Sequence, residues 1–318
     1  MKVAHLLLPL YILVLTGRSL CAAQSRSSDE SLFQAVAKGD MGAVRVTLDN
    51  GADINAHDDH GDTPLIVAVA NHHLAMLKLL LEKGALVSAH NNYAETALSE
   101  AARSFDPEML RVLLGGNPEV KDKDVALLEA ARSAPAVRQV MDIPTRSGDQ
   151  DKRTATATPE PPWVTNVRLL LDSGANIEAR DEEGTTPLMA AASKGQTETF
   201  TLLLERGAKI NARDKRGLTP LIAAACACAV ATMNSTYDIM KILLEKGANV
   251  NARAHDGSTA LMMAAGSPDD AASVKLLLSK GADPMAKNNE GKTAISFARG
   301  NPFPEKVLIL KRAMAKTP

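Results

Sequence analysis

Two kinds of apolar segment alternate along most of the chain. One is short and alanine-rich, as in TPLIVAVA at 63–70, where Leu65 and Ala68 fall three apart on one helical face. The other carries a leucine stripe, as in LAMLKLLLEKG at 74–84. Polar stretches such as NARDKRG at 211–217 separate each pair from the next. The pattern predicts pairs of short helices joined by polar hairpins. Boundary residues fit it: Thr63 can cap the first helix, Pro64 presets φ in its first turn, and Gly84 is a natural C-terminal cap for the second.

The pairs recur. The Leu/Ile column is Leu32, Leu65, Leu98, Leu127, Leu188, Leu221, Leu261 and Ile295. Three residues on, every unit has alanine: Ala35, Ala68, Ala101, Ala130, Ala191, Ala224, Ala264 and Ala298. A residue that small lets neighbouring helices approach closely. Thr63 to Thr96 and Thr186 to Thr219 are steps of 33, Thr219 to Thr259 is 40, and Thr259 to Thr293 is 34. The Gly-Ala pairs at Gly174, Gly207, Gly247 and Gly281 keep the same steps, so two independent markers share their insertions. A period near 33 indicates a stacked array.

The phrases G-x-T-P-L-x-x-A-A and L-L-L-x-x-G-A-x-x-N-A together closely resemble the ankyrin repeat over roughly residues 29–314. The resemblance implies an all-α ankyrin-repeat solenoid of about eight helix–turn–helix repeats with hairpin fingers. They fall at about 29–57, 58–90, 91–123, 124–180, 181–213, 214–253, 254–287 and 288–314, in a single domain whose first and last units act as caps. Residues 24–28 are then a short linker and 315–318 a tail. The family usually follows Thr-Pro-Leu with a histidine that bonds the Thr hydroxyl. Here that column is Phe33, Ile66, Ser99, Leu128, Met189, Ile222, Met262 and Ser296, so apolar contact is expected to substitute. The resemblance also implies that the finger tips and the exposed inner face of each first helix form the contact surface. Those positions include Asp59, His60, Asp62, Asn92, Tyr93, Glu95, Glu182, Glu183, Lys194, Lys215, Arg216, His255, Asp256, Asn289 and Glu290.

The array has irregularities. ALSEAARS at 97–104 returns as ALLEAARS at 126–133, a step of 29, so four residues are missing from the finger between repeats three and four. Repeat four is interrupted by 134–162, with the run TATATPEPP, before WVTNVRLLLDSGA resumes its second helix. A shorter insertion near AVATMNS, about 229–235, falls at the same turn of repeat six. Insertion at an exposed turn costs little, so 134–162 reads as a solvated loop. Its basic residues Arg138, Arg146, Lys152 and Arg153, with Trp163 beside it, leave a partner-binding or processing segment as the alternative.

The first residues are of a different kind. LLLPLYILVL is an apolar run of ten, and GRSLCAA supplies Cys21 and Ala23 at the −3 and −1 positions of a cut before Gln24. Residues 1–23 read as a secretory signal peptide, too short for a membrane span of roughly 20 apolar residues. The protein is therefore expected to be exported, periplasmic or secreted, with no membrane insertion once the signal is removed. Only Cys226 and Cys228 then remain, which excludes a disulfide scaffold. With 45% hydrophobic but 3% aromatic residues, the core must be built from Leu, Ala, Val and Met. A formal charge of −1 gives no footing for nucleic acid.

Candidate chemistry is sparse. His57, His60, Asp58 and Asp59 cluster in HDDH, His90 lies one repeat beyond His57, and His72 and His73 sit at the helix-joining turn. A metal needs three or four converging ligands, and nothing here fixes convergence; a solvated finger is the plainer reading. Cys226 and Cys228, two apart on a helix, point away from each other and read as small core residues. Arg180, Arg213, Arg253 and Lys287 share a column beside Asp58, Asn91, Asp181, Asp214 and Asn288. That interleaving reads as a solvated, internally compensated surface or, functionally, as a cationic ladder facing an acidic partner. No nucleophile elbow, phosphate loop or His-Glu-x-x-His is present, so no enzyme, metal or cofactor is expected. The expected function is that of a monomeric, non-catalytic scaffold binding another protein. The alternative is an accessory factor giving metal, haem or redox support to an exported enzyme.

Overall fold

The computed structural model describes residues 27–133, 160–226, 233–268, 271–299 and 304–316. Residues 1–23, expected to be a signal peptide, the body of the 134–162 insertion and Cys228 lie outside them. The described residues fall into two compact units, up to Asp122 and from Lys123. Within them the regular structure is helical, the helices being joined by turns and loops that carry isolated antiparallel bridges pairing His90 with Thr96 and Arg253 with Thr259.

In the first unit, helices α1 (27–38) and α2 (Met41–Asp49) form the opening pair, followed by α3 (Pro64–Ala70) with α4 (Leu74–Glu82) and α5 (Ala97–Arg103) with α6 (Pro107–Gly115). Helix α7 (Val120–Arg132) carries the boundary between the units. The second unit continues with α8 (Pro162–Asp172), α9 (Pro187–Lys194), α10 (Thr197–Glu205), α11 (Pro220–Cys226), α12 (Met233–Glu245), α13 (Ala260–Gly266), α14 (Ala272–Ser279), α15 (Ala294–Ala298) and α16 (Pro304–Met314). In each unit first helices pack on first helices and second on second, as α9–α11–α13–α15 and α8–α10–α12–α14–α16.

The packing follows from the two columns read in the sequence. The Thr hydroxyl accepts from the amide three residues on, as Thr63 from Ile66 at 3.3 Å, and so satisfies a free helix-start donor. Pro64 takes the first helical position, where its missing N–H is no loss. The alanine column is buried in every unit, from Ala35 to Ala298, and the leucines at its side are buried with it. Burying each such leucine contributes roughly 1.5–3 kcal/mol. Gly84 has φ +93° and open space where a Cβ would sit, so backbone conformation alone selects glycine there. Repeat three uses Asn117, φ +51°, at the equivalent place.

Several expectations change. Ser99 does not make an apolar substitute for the missing histidine: its hydroxyl accepts from the Thr96 amide while Thr96 Oγ1 accepts from the Ser99 amide, a capping box. Ser296 likewise accepts from the Thr293 amide. Cys226 is exposed at the last turn of α11 and is not a core residue. The four residues missing before repeat four do not shorten a hairpin; the segment is helical, and α7 begins at Val120, ahead of the ALLEAARS phrase.

The last repeat has a polar seal of its own. Lys306, fully buried, sends its ammonium to the carbonyls of Ala264 at 2.8 Å and Ser267 at 2.7 Å, at the end of α13. In the first unit, Asp29 Oδ1 accepts from the Asp53 amide at 2.8 Å.

Candidate binding surface

Each finger is a tight turn set by one side chain. In repeat six the Gly217 amide donates to the Asp214 carbonyl at 3.0 Å. Asp214 Oδ1 accepts from the amides of Arg216 and Leu218 at 2.9 and 2.7 Å. Asp or Asn at the first turn position and glycine at the fourth suit such a turn, because the acid caps its own loop and glycine accepts positive φ. Asp58, Asn91, Asp181 and Asn288 do the same in their fingers. This column is the frame of the fingers, and Asp214 and Asn288 are buried in it. In repeat seven the position is Ala254, and Asp256 instead accepts from the Ser258 amide and hydroxyl.

Fingers are joined to one another by backbone. In the second unit Lys215 N donates to Glu183 O at 2.9 Å, His255 N to Arg216 O at 2.8 Å, and Asn289 N to Asp256 O at 2.8 Å. In the first unit Asn92 N donates to His60 O at 3.2 Å. The approach is close: a Cβ on Gly217, φ +75°, would lie 3.0 Å from the His255 amide nitrogen. Repeat three has Ala94 at this glycine position, φ +60°.

The arginine column clamps this ladder. Arg180 Nη1 donates to Gly184 O at 2.9 Å in its own finger and to Arg213 O at 2.7 Å in the next. Arg213 repeats the pattern onto Gly217 O and Arg253 O at 3.3 and 2.9 Å, and Arg253 reaches Lys287 O. The guanidinium groups of Arg180, Arg213 and Arg253 are exposed but committed to backbone carbonyls. A further set of inter-repeat bonds went unread in the sequence. Side-chain oxygens of Asn55, Glu178, Asn211 and Asn251 accept from the amides of Leu86, Lys209, Asn249 and Asp283, one repeat on. Their signal is an acceptor three residues after the alanine of four of the Gly-Ala pairs, chiefly the Asn of the Asn-Ala phrase.

Thirteen of the fifteen expected surface positions are exposed: Asp59, His60, Asn92, Tyr93, Glu182, Glu183, Lys194, Lys215, Arg216, His255, Asp256, Asn289 and Glu290. Tyr93 stands out at 72% exposure. Asp62 and Glu95 are half-buried and engaged: Asp62 accepts from Asn91 Nδ2, and Glu95 accepts from Asn91 Nδ2 and Arg103. The hydrogen bond from Arg103 holds the Glu95 carboxyl below the usual glutamate range against the opposing effect of burial. Arg103 is shared with Glu100, and the duplicated phrase in α7 builds the same device, Arg132 between Glu129 and Asp181. Of the histidines, His73 sits at the start of α4 with Nε2 3.2 Å from Ala37 O. His90 Nε2 lies 3.7 Å from the buried Asp122. Among the described residues no three His, Cys, Asp or Glu side chains come together as a metal site would need.

Stacked helix pairs, glycine turns and laddered hairpins all recur at the sequence period. The family model for ankyrin repeats in three copies matches residues 32–124, 164–254 and 228–313. The chain belongs to the ankyrin-repeat family. Ankyrin repeats bind other proteins, and the family is typically a non-catalytic scaffold. No curated protein matches the chain. Among the described residues no helix is long and apolar enough to cross a membrane.

Proposed function

We propose that this ankyrin-repeat chain is a non-catalytic scaffold that binds a partner protein through its fingers and inner helices in an exported compartment. The observation that carries the reading is the row of exposed tips from Glu182 to Glu290, held on a backbone ladder clamped by Arg180, Arg213 and Arg253. A surface ordered before binding loses little conformational freedom on association. Export is supported by the short apolar run and the small residues before Gln24. Intact mass of the soluble native protein should begin at Gln24, and a mass retaining residues 1–23 would remove export from the proposal.

The binding test reverses Lys215 and Arg216 to glutamate, both exposed at the tip of one finger. The melting temperature should hardly move, because exposed charges contribute about 0–1 kcal/mol. Capture of the native partner should weaken and become less sensitive to salt. The control reverses Lys241 and Glu245, exposed on the second helix α12. Loss of capture in the control alone moves the interface off the fingers.

A further inference from the structure

The exposed charges at the tips of the second unit alternate in sign from finger to finger. Finger five ends in Glu182 and Glu183, finger six in Lys215 and Arg216, and finger seven in His255 and Asp256, all exposed. Acidic and basic tips are thus neighbours on the ladder, yet among the described residues no ion pair joins one tip to the next. Each ion pair at the tips stays inside its own finger: Arg216 with Asp214 at 3.6 Å, and Glu290 with Lys292 at 2.6 Å. The second pair neutralises finger eight. What remains outward is an acidic, then a basic, then an acidic step.

The ladder fixes the length of the step. Successive fingers of the second unit are joined by main-chain hydrogen bonds, from Lys215 to Glu183, His255 to Arg216 and Asn289 to Asp256; with each finger taken as two chain passes at the 4.7–4.9 Å strand spacing, tips recur at roughly 10 Å. The guanidinium clamps of Arg180 and Arg213 brace these same joints. A polyproline-II segment has three residues per turn and rises about 3.1 Å per residue, so every third side chain points the same way at steps of about 9 Å. That period is close to the finger step and is reached in three residues, whereas an α-helix covers a similar distance on one face only over seven, about 10.5 Å.

We propose that the tips of fingers five to seven recognise an extended, polyproline-II-like segment of a partner protein with a basic residue at i, an acidic one at i+3 and a basic one at i+6. This deepens, and rests on, the reading of the fingers as the partner surface. Glu182 and Glu183 take the first basic group, Lys215 and Arg216 the acidic one, and Asp256 the second basic group. Reversing the charge order places like charges opposite one another at all three steps, which rejects the wrong segment as well as attracting the right one.

The test uses the full mature chain and three labelled peptides in fluorescence anisotropy: Lys-Pro-Pro-Glu-Pro-Pro-Lys, the order-reversed Glu-Pro-Pro-Lys-Pro-Pro-Glu, and a version of the first with one spacer proline removed at each side. An exposed ion pair is worth about two- to fivefold in affinity, so three should favour the first peptide over the second by roughly tenfold or more, less so at high salt. The shortened peptide should bind more weakly than the first. K215E/R216E, with an unchanged melting temperature, should instead prefer Lys-Pro-Pro-Lys-Pro-Pro-Lys; E182K/E183K offers the same reversal at another finger if the first variant fails to fold. Equal binding of the first two peptides, or no binding of any at about 1 mM, overturns the inference. So does concentration-dependent self-association that K215E/R216E abolishes, which assigns the surface to a second copy of the chain. If native-partner capture still depends on Lys215 and Arg216 while the peptides show no preference, the charge order fails and the finger surface stands.

Discussion

Replacing Arg180 with alanine separates the frame of the fingers from their tips. The substitution removes donors to Gly184 O at 2.9 Å and Arg213 O at 2.7 Å and touches no tip side chain. A hydrogen bond from a charged group nets about 1.5–3 kcal/mol when buried. Arg180 is exposed and both carbonyls can be rehydrated, so about 0.5 kcal/mol per bond is the reasonable scale, near 1 kcal/mol in all. For a domain of about 150–250 residues that moves the melting temperature by roughly 2–4 °C. The sharper signal is local. The Lys215 amide, which donates to Glu183 O across the same joint at 2.9 Å, should lose about fivefold in exchange protection, the equivalent of about 1 kcal/mol. The Asn289 amide, two joints on, should change little, because repeat arrays are coupled mainly to nearest neighbours. Arg180→Met keeps most of the apolar stem and should behave like alanine. If methionine restores Lys215 protection, or if protection never changes, the arginine column works by packing and the clamp is refuted.

Other consequences can be measured alongside. Ala191→Leu or Ala224→Leu puts bulk into a fully buried column and should cost roughly 1–3 kcal/mol, with loss of a single unfolding transition; unchanged melting in both means the register is wrong. Ala94→Gly relieves a left-handed alanine, an effect of about 1–2 kcal/mol, against glycine's extra unfolded-state entropy of about 0.5–1 kcal/mol, so chemical denaturation should show a small gain in stability. Glu95 has its carboxyl pKa depressed in the folded state, so its contribution is present above the unfolded value of about 4.3 and is lost as the pH falls through the lower folded value. Glu95→Gln should therefore be less stable than the parent near neutrality, the two converging as the pH is lowered below about 4; a gap that persists into acid would separate Glu95 from Arg103.

How much of this was legible in the sequence depends on how local the cause is. Leu65 and Ala68 announce a helix face because their spacing is the helix period, and the structure buries the whole alanine column and every leucine of the other, with Ile295 half-buried. Thr63 and Pro64 announce a helix start for reasons contained in three residues. The tips were legible as well, since Lys215 and Arg216 lie between a turn-forming Asp214 and a glycine. Arg180 was not: its charge pointed outward, to solvent or to a partner, whereas its use is a carbonyl 33 residues away. The missing finger was visible as a step of 29, but not that the segment from Val120 would be absorbed into α7. Cys226 looked like another small residue of an alanine-rich helix, yet falls on the exposed last turn. Asp62 and Glu95 sit at the tip end of the repeat by register, and only the geometry of Asn91 and Arg103 shows that they are already engaged.

These differences divide each finger chemically into two rows. The inner row, Asp214 and Arg213 in repeat six, spends its hydrogen-bonding groups on backbone within the finger and across to the next. The outer row, Lys215 and Arg216, spends backbone groups on the ladder and keeps its side chains exposed, Arg216 reaching back to Asp214 of its own finger at 3.6 Å. Because the ladder bonds are made by main chain, an outer residue can change sign without breaking one. Recognition can then vary finger by finger on a constant frame. The same separation makes the two central experiments independent. A loosened frame in Arg180→Ala should weaken every peptide by a similar factor, since it raises the ordering cost of binding. Reversed tips in K215E/R216E should change which peptide is preferred while leaving amide protection along the ladder intact. If Arg180→Ala instead altered the order of preference, frame and tip would not be separable, and specificity would have to reside in the shape of the fingers rather than in their charges.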